Sequence, residues 1–193
     1  MHHFFSMMFS LLAIIGHVSA DRSYRSELTV KNGMKWGDWG PVQMCPSGTY
    51  AAEFSLKVEG ALIFGGDDTA LNGITLFCVD QYKNPKQYSS ITSTVGGWGD
   101  WGKVQRCPGY FTAFQLKVEP SQGSGDDTAA NILNFKCSGG EVLQGHGSNW
   151  GTLGDWSPTC EGKGICGIQT RVEPSQGDGD DTALNDVRMF CCD

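Results

Sequence analysis

The chain has 193 residues, room for one or two domains, and 14 basic against 21 acidic side chains give it a net charge of -7. An acidic chain without a basic patch is not an ordinary nucleic-acid-binding protein, so we expect no nucleic acid among its partners. Glycine occupies 27 positions, which argues against a helix-rich fold because glycine weakens helix interiors. The 39% of hydrophobic residues is enough for a folded core.

The chain begins with an apolar run over residues 4–15, which is shorter than the roughly 20 residues of a membrane span. Small residues up to Ala20 follow this run, so we expect residues 1–20 to be a secretory signal peptide and residues 21–193 to form one domain. No later apolar run approaches spanning length, and we expect no membrane span. A secreted chain folds in an oxidising compartment, where its eight cysteines would form disulfides.

The remainder of the chain contains three copies of one unit, at about residues 28–80, 90–139 and 141–193. Each copy has two tryptophans, then a cysteine, an alternating strand, an acidic turn and a second cysteine. The tryptophan pairs are Trp36 and Trp39, Trp98 and Trp101, and Trp150 and Trp156. A repeat of 54 to 59 residues built from such short elements indicates one structural unit repeated three times.

Hydrophobic residues alternate with polar ones within each copy, as in the sequence FSLKVE that ends at Glu59. Period-two alternation predicts strands with one buried face. One unit of about four short strands cannot bury its apolar face alone. We therefore expect three sheets facing a common axis, in a three-sided prism; a three-bladed propeller and a trefoil barrel remain alternatives.

Eight cysteines allow 105 pairings, and the repeats reduce that number. Equivalent cysteines should form equivalent bonds, one in each sheet: Cys45–Cys78, Cys107–Cys137 and Cys160–Cys191. Cys166 and Cys192 remain and would pair with each other. An exchange in the third copy, with Cys160 bonded to Cys192, stays open.

Carboxylates are the main candidates for catalysis. Three acidic turns recur, and a glutamate precedes each of them; the candidates are Asp67, Asp126, Asp180, Glu59, Glu119 and Glu173. Two carboxylates can carry out glycoside chemistry when one is protonated and the other is ionised. Their recurrence at three equivalent positions favours a structural role, because aspartate in a turn accepts backbone N–H bonds.

Tryptophan side chains can stack on sugar rings, which makes Trp39, Trp101 and Trp156 candidates for glycan binding. We nevertheless favour burial of the repeated tryptophans in the shared core. His146 is the one histidine beyond the signal segment, and its glycine neighbours indicate an exposed turn. One histidine does not make a histidine-based zinc site, and its exposed position argues against a Ser–His–Asp catalytic triad. No nucleotide-binding loop is present, and we expect neither a cofactor nor a metal.

Over residues 24–193 the chain resembles the vitelline membrane outer layer protein 1 family. The resemblance rests on the WGxW segments, the SLKVE and QLKVE strands, EPSQGxGDDTA, DDTALN, ICGIQTRVE and Cys191-Cys192. It implies a β-prism of three Greek-key, four-stranded sheets with pseudo-threefold symmetry, a fold shared with some plant lectins. It also implies a secreted component of an egg coat or other secretion. A member from bird eggs is credited with transferring N-acetylglucosamine oligosaccharides.

From these observations we predict a secreted, non-catalytic component of an extracellular coat. Its partners would be coat proteins, with basic ones favoured by the acidic charge, and N-acetylglucosamine glycans. Two alternatives are a transferase acting on N-acetylglucosamine oligosaccharides and a lectin that binds glycans without turnover.

Overall fold

A computed structural model describes residues 22–60, 71–80, 89–120, 130–174 and 183–193. Every regular element in these ranges is a β-strand. The predicted signal peptide, residues 1–20, lies outside them. The strands are β1 (Ser26–Leu28), β2 (Asp38–Trp39), β3 (Gln43–Met44), β4 (Tyr50–Val58), β5 (Leu71–Val79), β6 (Ser89–Thr92), β7 (Asp100–Trp101), β8 (Gln105–Arg106), β9 (Phe111–Val118), β10 (Ala130–Cys137), β11 (Val142–Gln144), β12 (Thr152–Leu153), β13 (Gly164–Val172) and β14 (Leu184–Cys192).

The strands form three antiparallel sheets. Sheet A has the order β1-β14-β13-β2, sheet B has β6-β5-β4-β7, and sheet C has β11-β10-β9-β12; β3 and β8 are short additions to sheets A and B. In sheet B, strands β4, β5 and β6 are consecutive neighbours and β7 returns beside β4, which is a Greek key. The prediction of an all-β prism of three Greek-key sheets with pseudo-threefold symmetry is confirmed.

Each sheet combines the two long strands of one repeat with the short strands of another, as in sheet C, where β11 and β12 both belong to the third copy. The expectation that one repeat forms one sheet is therefore wrong. The segment of the second copy that contains Trp101 pairs with Lys57 of the first copy, and Leu153 of the third copy pairs with Lys117 of the second. The first copy's β2 and β3 pair with β13, which closes the ring. Alternation shows which side chains face inward, but it carries no information on which strands lie side by side.

Three of the disulfides link neighbouring sheets, because their cysteines also lie in different sheets. The backbone N–H of Cys45 donates to Cys166 in sheet A, while its sulfur bonds to Cys78 in sheet B. Cys107–Cys137 joins sheet B to sheet C in this way, and Cys160–Cys191 joins sheet C to sheet A. The expectation of one such bond within each sheet is therefore wrong, because the bonds run between sheets. The fourth bond, Cys166–Cys192, joins β13 to β14 within sheet A.

The core lies between the three sheets and is filled by the inward positions of the long strands. Leu76, Phe135 and Met189, which hold matching positions in β5, β10 and β14, are each fully buried. Phe135 stacks on Phe111 with ring centroids 4.2 Å apart, and it also contacts Phe54 of sheet B at 5.0 Å. The period-two pattern thus identifies the buried faces correctly.

A glycine follows the first tryptophan of each copy for a steric reason. Gly37, Gly99 and Gly151 have φ angles of 74°, 78° and 80°, a region that other residues rarely adopt. A Cβ on Gly99 would also overlap the backbone of Val58 and Glu59. The glycine lets the short edge strand lie directly against the long strand.

Candidate functional site

A recess of about 620 Å³, which we call the BC cleft, lies between sheets B and C. Leu56 and Val58 of β4 contribute to its apolar lining. One wall includes Asp100 and Trp101 of β7, and the other includes His146 and residues up to Trp150. Its size is that of an ordinary small-ligand pocket.

Hydrogen bonds between β4 and the backbone around β7 hold one wall of the BC cleft in place. Gly102 donates its N–H to the carbonyl of Leu56 at 2.8 Å, and its own carbonyl accepts from the Ser55 hydroxyl at 2.8 Å. The Lys57 ammonium donates to the carbonyls of Gly96 and Gly97, at 2.9 and 3.0 Å, and so fixes the segment leading into β7.

The opposite wall of the BC cleft is fixed from sheet C. Gly145 donates its N–H to the Leu133 carbonyl at 3.1 Å, and Lys117 donates to the Asn149 carbonyl at 2.5 Å. Between the walls, the Gln105 amide donates to the Gln144 carbonyl at 2.9 Å. Both walls are thus tied to long strands of the prism, and the cleft is preformed.

The tryptophans are at the surface, and the expectation that they are buried is wrong. Trp101 and Trp150, which line the BC cleft, are 45% and 60% exposed. Trp36 and Trp98 are more than half exposed, and Trp39 is half-buried. The reason is positional: these side chains lie on or beside edge strands, whereas the long strands already fill the core.

Trp156 is not the counterpart of Trp39 and Trp101, contrary to the sequence alignment of the repeats. Leu153 pairs with Lys117 in sheet C as Trp101 pairs with Lys57 in sheet B. Aligning Trp150-Gly-Thr-Leu-Gly with Trp98-Gly-Asp-Trp-Gly without a gap would have revealed this. The structure therefore places Trp39 and Trp101, but not Trp156, at equivalent positions.

The candidate glutamates lie in three different surroundings. Glu59 lines the BC cleft, whereas Glu173 lines a smaller recess of about 280 Å³ between sheets A and B, which we call the AB groove. Glu119 is buried, with 7% exposure. The candidate aspartates Asp67, Asp126 and Asp180 lie outside the described residues. A carboxylate that the sequence did not single out, Asp100, lines the BC cleft beside Glu59.

Three pseudo-equivalent grooves differ in how they are filled. In the AB groove Thr94 packs against Gly40, and a Cβ on that glycine would overlap it. In the groove between sheets C and A, Asn32 packs against Gly154, and its side-chain amide donates to the carbonyl of Leu116 at 3.0 Å. At the BC cleft the corresponding residues are His146 and Gly102. His146 is exposed, and among the described residues a Cβ on Gly102 would meet only the Leu56 carbonyl oxygen within 4 Å. The BC cleft stays open for this reason.

Trp39 is covered by charged neighbours on sheet A. The guanidinium carbon of Arg188 lies 4.0 Å from the centroid of the indole ring, and that of Arg171 lies 6.0 Å away. Arg188 also pairs with Glu27 at 3.4 Å. Burial raises the pKa of Asp186 to about 6, although the Val187 N–H, at 2.8 Å, and the two arginines act in the opposite direction.

The raised pKa of Asp186 gives a testable dependence of stability on pH. The folded protein binds this proton more tightly than the unfolded chain, so its stabilising effect is present below about pH 4 and is lost as the pH rises through about 6. We expect Asp186→Asn, which keeps a hydrogen-bond acceptor for the Val187 N–H, to be more stable than wild type at pH 7. After allowance for solvent screening, its free energy of unfolding should be about 1–2 kcal/mol higher. Urea titrations at pH 4 and pH 7 measure the difference in unfolding free energy between the variant and wild type. A difference of equal size at both pH values would contradict a raised pKa of Asp186.

In the described part of the chain, no helix is long and apolar enough to cross a membrane.

Comparison with known proteins agrees with these features. Residues 26–193 match the family model described as Vitelline membrane outer layer protein I (VOMI). The vitelline membrane outer layer protein 1 homologs of Mus musculus and Homo sapiens are 46% and 48% identical over 177 and 171 residues, covering 91% and 88% of this chain and 87% and 84% of theirs. A solved structure titled Calsepa lectin in complex with bisected glycan shares the fold, with a TM-score of 0.55 at 12% identity over 87% of this chain and 97% of its own. The chain belongs to the vitelline membrane outer layer protein I family.

Proposed function

We propose that this protein is a secreted, non-catalytic component of an extracellular coat that holds glycan chains in the BC cleft. Its family and its four disulfides are those of an extracellular protein, since disulfides persist in oxidising compartments. The lectin of the same fold is described in complex with a glycan, which supports glycan binding as the activity to test here.

The observation that carries the proposal is the pair of exposed indoles at a preformed cleft. Trp101 and Trp150 offer apolar ring faces, and sugar rings carry apolar C–H faces that pack on aromatic rings. Asp100, Gln105 and Asn149 line the same cleft and supply polar groups for sugar hydroxyls. A mostly apolar recess with a few polar groups is the usual form of a binding site for a small ligand.

A transferase is the second candidate, because Glu59 and Asp100 line one cleft. Asp100 pairs with Val58, the residue before Glu59, and glycoside chemistry uses two carboxylates. The six carboxylates chosen from the sequence do not support it as a group, since Glu119 and Glu173 lie elsewhere. Incubation with N-acetylglucosamine oligosaccharides and analysis of the products separates the candidates: saturable binding with unchanged oligosaccharides supports the non-catalytic role.

We expect Trp101→Ala to weaken the binding of N-acetylglucosamine oligosaccharides by about 10- to 100-fold, the effect of losing one aromatic stacking partner. Isothermal titration calorimetry on the oxidised protein measures this change. Trp98→Ala is the matched control, because Trp98 is 52% exposed and belongs to the same segment but does not line the BC cleft. Equal affinities for both variants would remove the BC cleft as the binding site.

Association with coat proteins is proposed on the acidic charge of -7, which favours basic partners. Such binding weakens as salt screens the charges. Retention of the protein on isolated coat material, measured across a series of sodium chloride concentrations, tests it. Retention that does not change with salt would contradict an electrostatic contribution.

A further inference from the structure

We propose that Trp39 is a second saccharide-stacking position, that Arg188 covers it in the resting protein, and that it takes the same class of neutral saccharide as the BC cleft. This inference rests on the proposed function, because it assumes that the equivalent Trp101 holds a glycan. It adds a second site, and a side chain that controls access to that site.

Trp39 and Trp101 hold equivalent positions in the strand pairing of sheets A and B. Trp39 pairs with Arg171 at the end of β13, and Trp101 pairs with Lys57 at the end of β4. Each indole borders a recess between two sheets, and each recess is lined by an aspartate before the tryptophan and by a glutamate after the long strand. The AB groove therefore has the same kinds of groups as the BC cleft in a smaller volume.

Besides the packing of Thr94 against Gly40, which narrows the AB groove, the two sites differ at one register position of their sheets. Arg188 lies opposite Gln169 in sheet A, and the corresponding residue of sheet B, opposite Ser55, is Thr75. The Thr75 hydroxyl is hydrogen-bonded to that of Thr92 at 2.8 Å, whereas the Arg188 guanidinium lies 4.0 Å from the Trp39 ring centroid. Accordingly Trp39 is half-buried while Trp101 is 45% exposed.

The contacts that hold Arg188 are weak enough to be displaced by a ligand. Its ion pair with Glu27 is 3.4 Å long, and the two side chains are 38% and 36% exposed. Exposed ion pairs and exposed cation–π contacts each contribute little in water. An Arg188 that turns toward solvent uncovers one ring face of Trp39, and this indole also lines the AB groove together with Asp38 and Glu173.

Calorimetry with N-acetylglucosamine oligosaccharides tests the proposal. We expect Arg188→Ala and Arg188→Gln to tighten a second site about fivefold or more, so that the stoichiometry rises from one toward two ligands per chain. Adding Trp39→Ala to either variant should remove that site. The reciprocal change, Thr75→Arg, should cover Trp101 and weaken the first site by a similar factor. Lys163→Ala is the control. It also removes a cation that lies over an aromatic ring, 5.0 Å from the centroid of Tyr50, but Lys163 lines neither the BC cleft nor the AB groove.

The outcomes distinguish this inference from the proposed function. A stoichiometry that is unchanged in both Arg188 variants, while Trp101→Ala alone still weakens binding about 10- to 100-fold, overturns the second site and leaves the BC cleft as the binding site. No binding by wild type or by any variant overturns the proposed function, and the second site with it. Far-ultraviolet circular dichroism and melting curves establish that each variant is folded, and the glutamine variant retains most of the length of the arginine side chain.

Discussion

Phe135→Ala is expected to lower the free energy of unfolding by about 3–5 kcal/mol, the range for removing a fully buried aromatic side chain. Phe135 has no exposed surface and stacks on Phe111 with an interplanar angle of 15°. It also contacts Phe54, which belongs to sheet B, so the substitution leaves a cavity where two sheets meet. Urea denaturation of the oxidised protein, followed by circular dichroism, measures the loss.

Phe77→Ala is the matched control for this prediction. Phe77 lies in β5, faces away from the core and is half-buried, so we expect a loss of about 1 kcal/mol. If the two substitutions had equal effects, the aromatic contact between sheets B and C would not be a main source of stability.

Gly99→Ala should lower the free energy of unfolding by about 2–5 kcal/mol. A left-handed backbone costs an alanine about 1–2 kcal/mol, and relieving an overlap within a packed structure typically costs a further 1–3 kcal/mol. Gly99 meets both conditions, with a φ of 78° and the backbone of Val58 and Glu59 where a methyl group would lie. The edge strand β7 would have to move away from β4.

Gly48→Ala separates these two contributions. Gly48 has a φ of 81°, but a Cβ there would have no neighbour within 4 Å among the residues that the structure describes, so we expect only the backbone cost of about 1–2 kcal/mol. The same urea titrations compare the two variants. A loss at Gly99 no larger than that at Gly48 would show that the close approach of β7 does not contribute.

The buried faces could be predicted from the sequence because they are a local property. Leu76, Phe135 and Met189 each follow a polar residue in their strands, and each of them is buried. The pairing of Trp101 with Lys57 of the preceding copy could not be predicted, since it depends on which strand edges meet in space. The sequence therefore yields the three sheets and misses how their edges are shared.

The candidate site was predicted only in part. Trp101 and Glu59 both line the BC cleft, but the sequence offered no reason to prefer them over their counterparts in the other copies. The preference arises from packing: Thr94 and Asn32 fill part of the equivalent grooves, whereas His146 is exposed and leaves the BC cleft wider. Such differences between near-identical segments become visible only when both sides of a groove are placed.

The closure of sheet A by β1, β2 and β3 against β13 and β14 also constrains how the molecule is made. These first strands are synthesised well before β13 and β14, the strands with which they pair. The ring therefore closes only after β13 and β14 have been synthesised. Truncation of the hairpin formed by β13 and β14 would leave β1, β2 and β3 without a sheet to join.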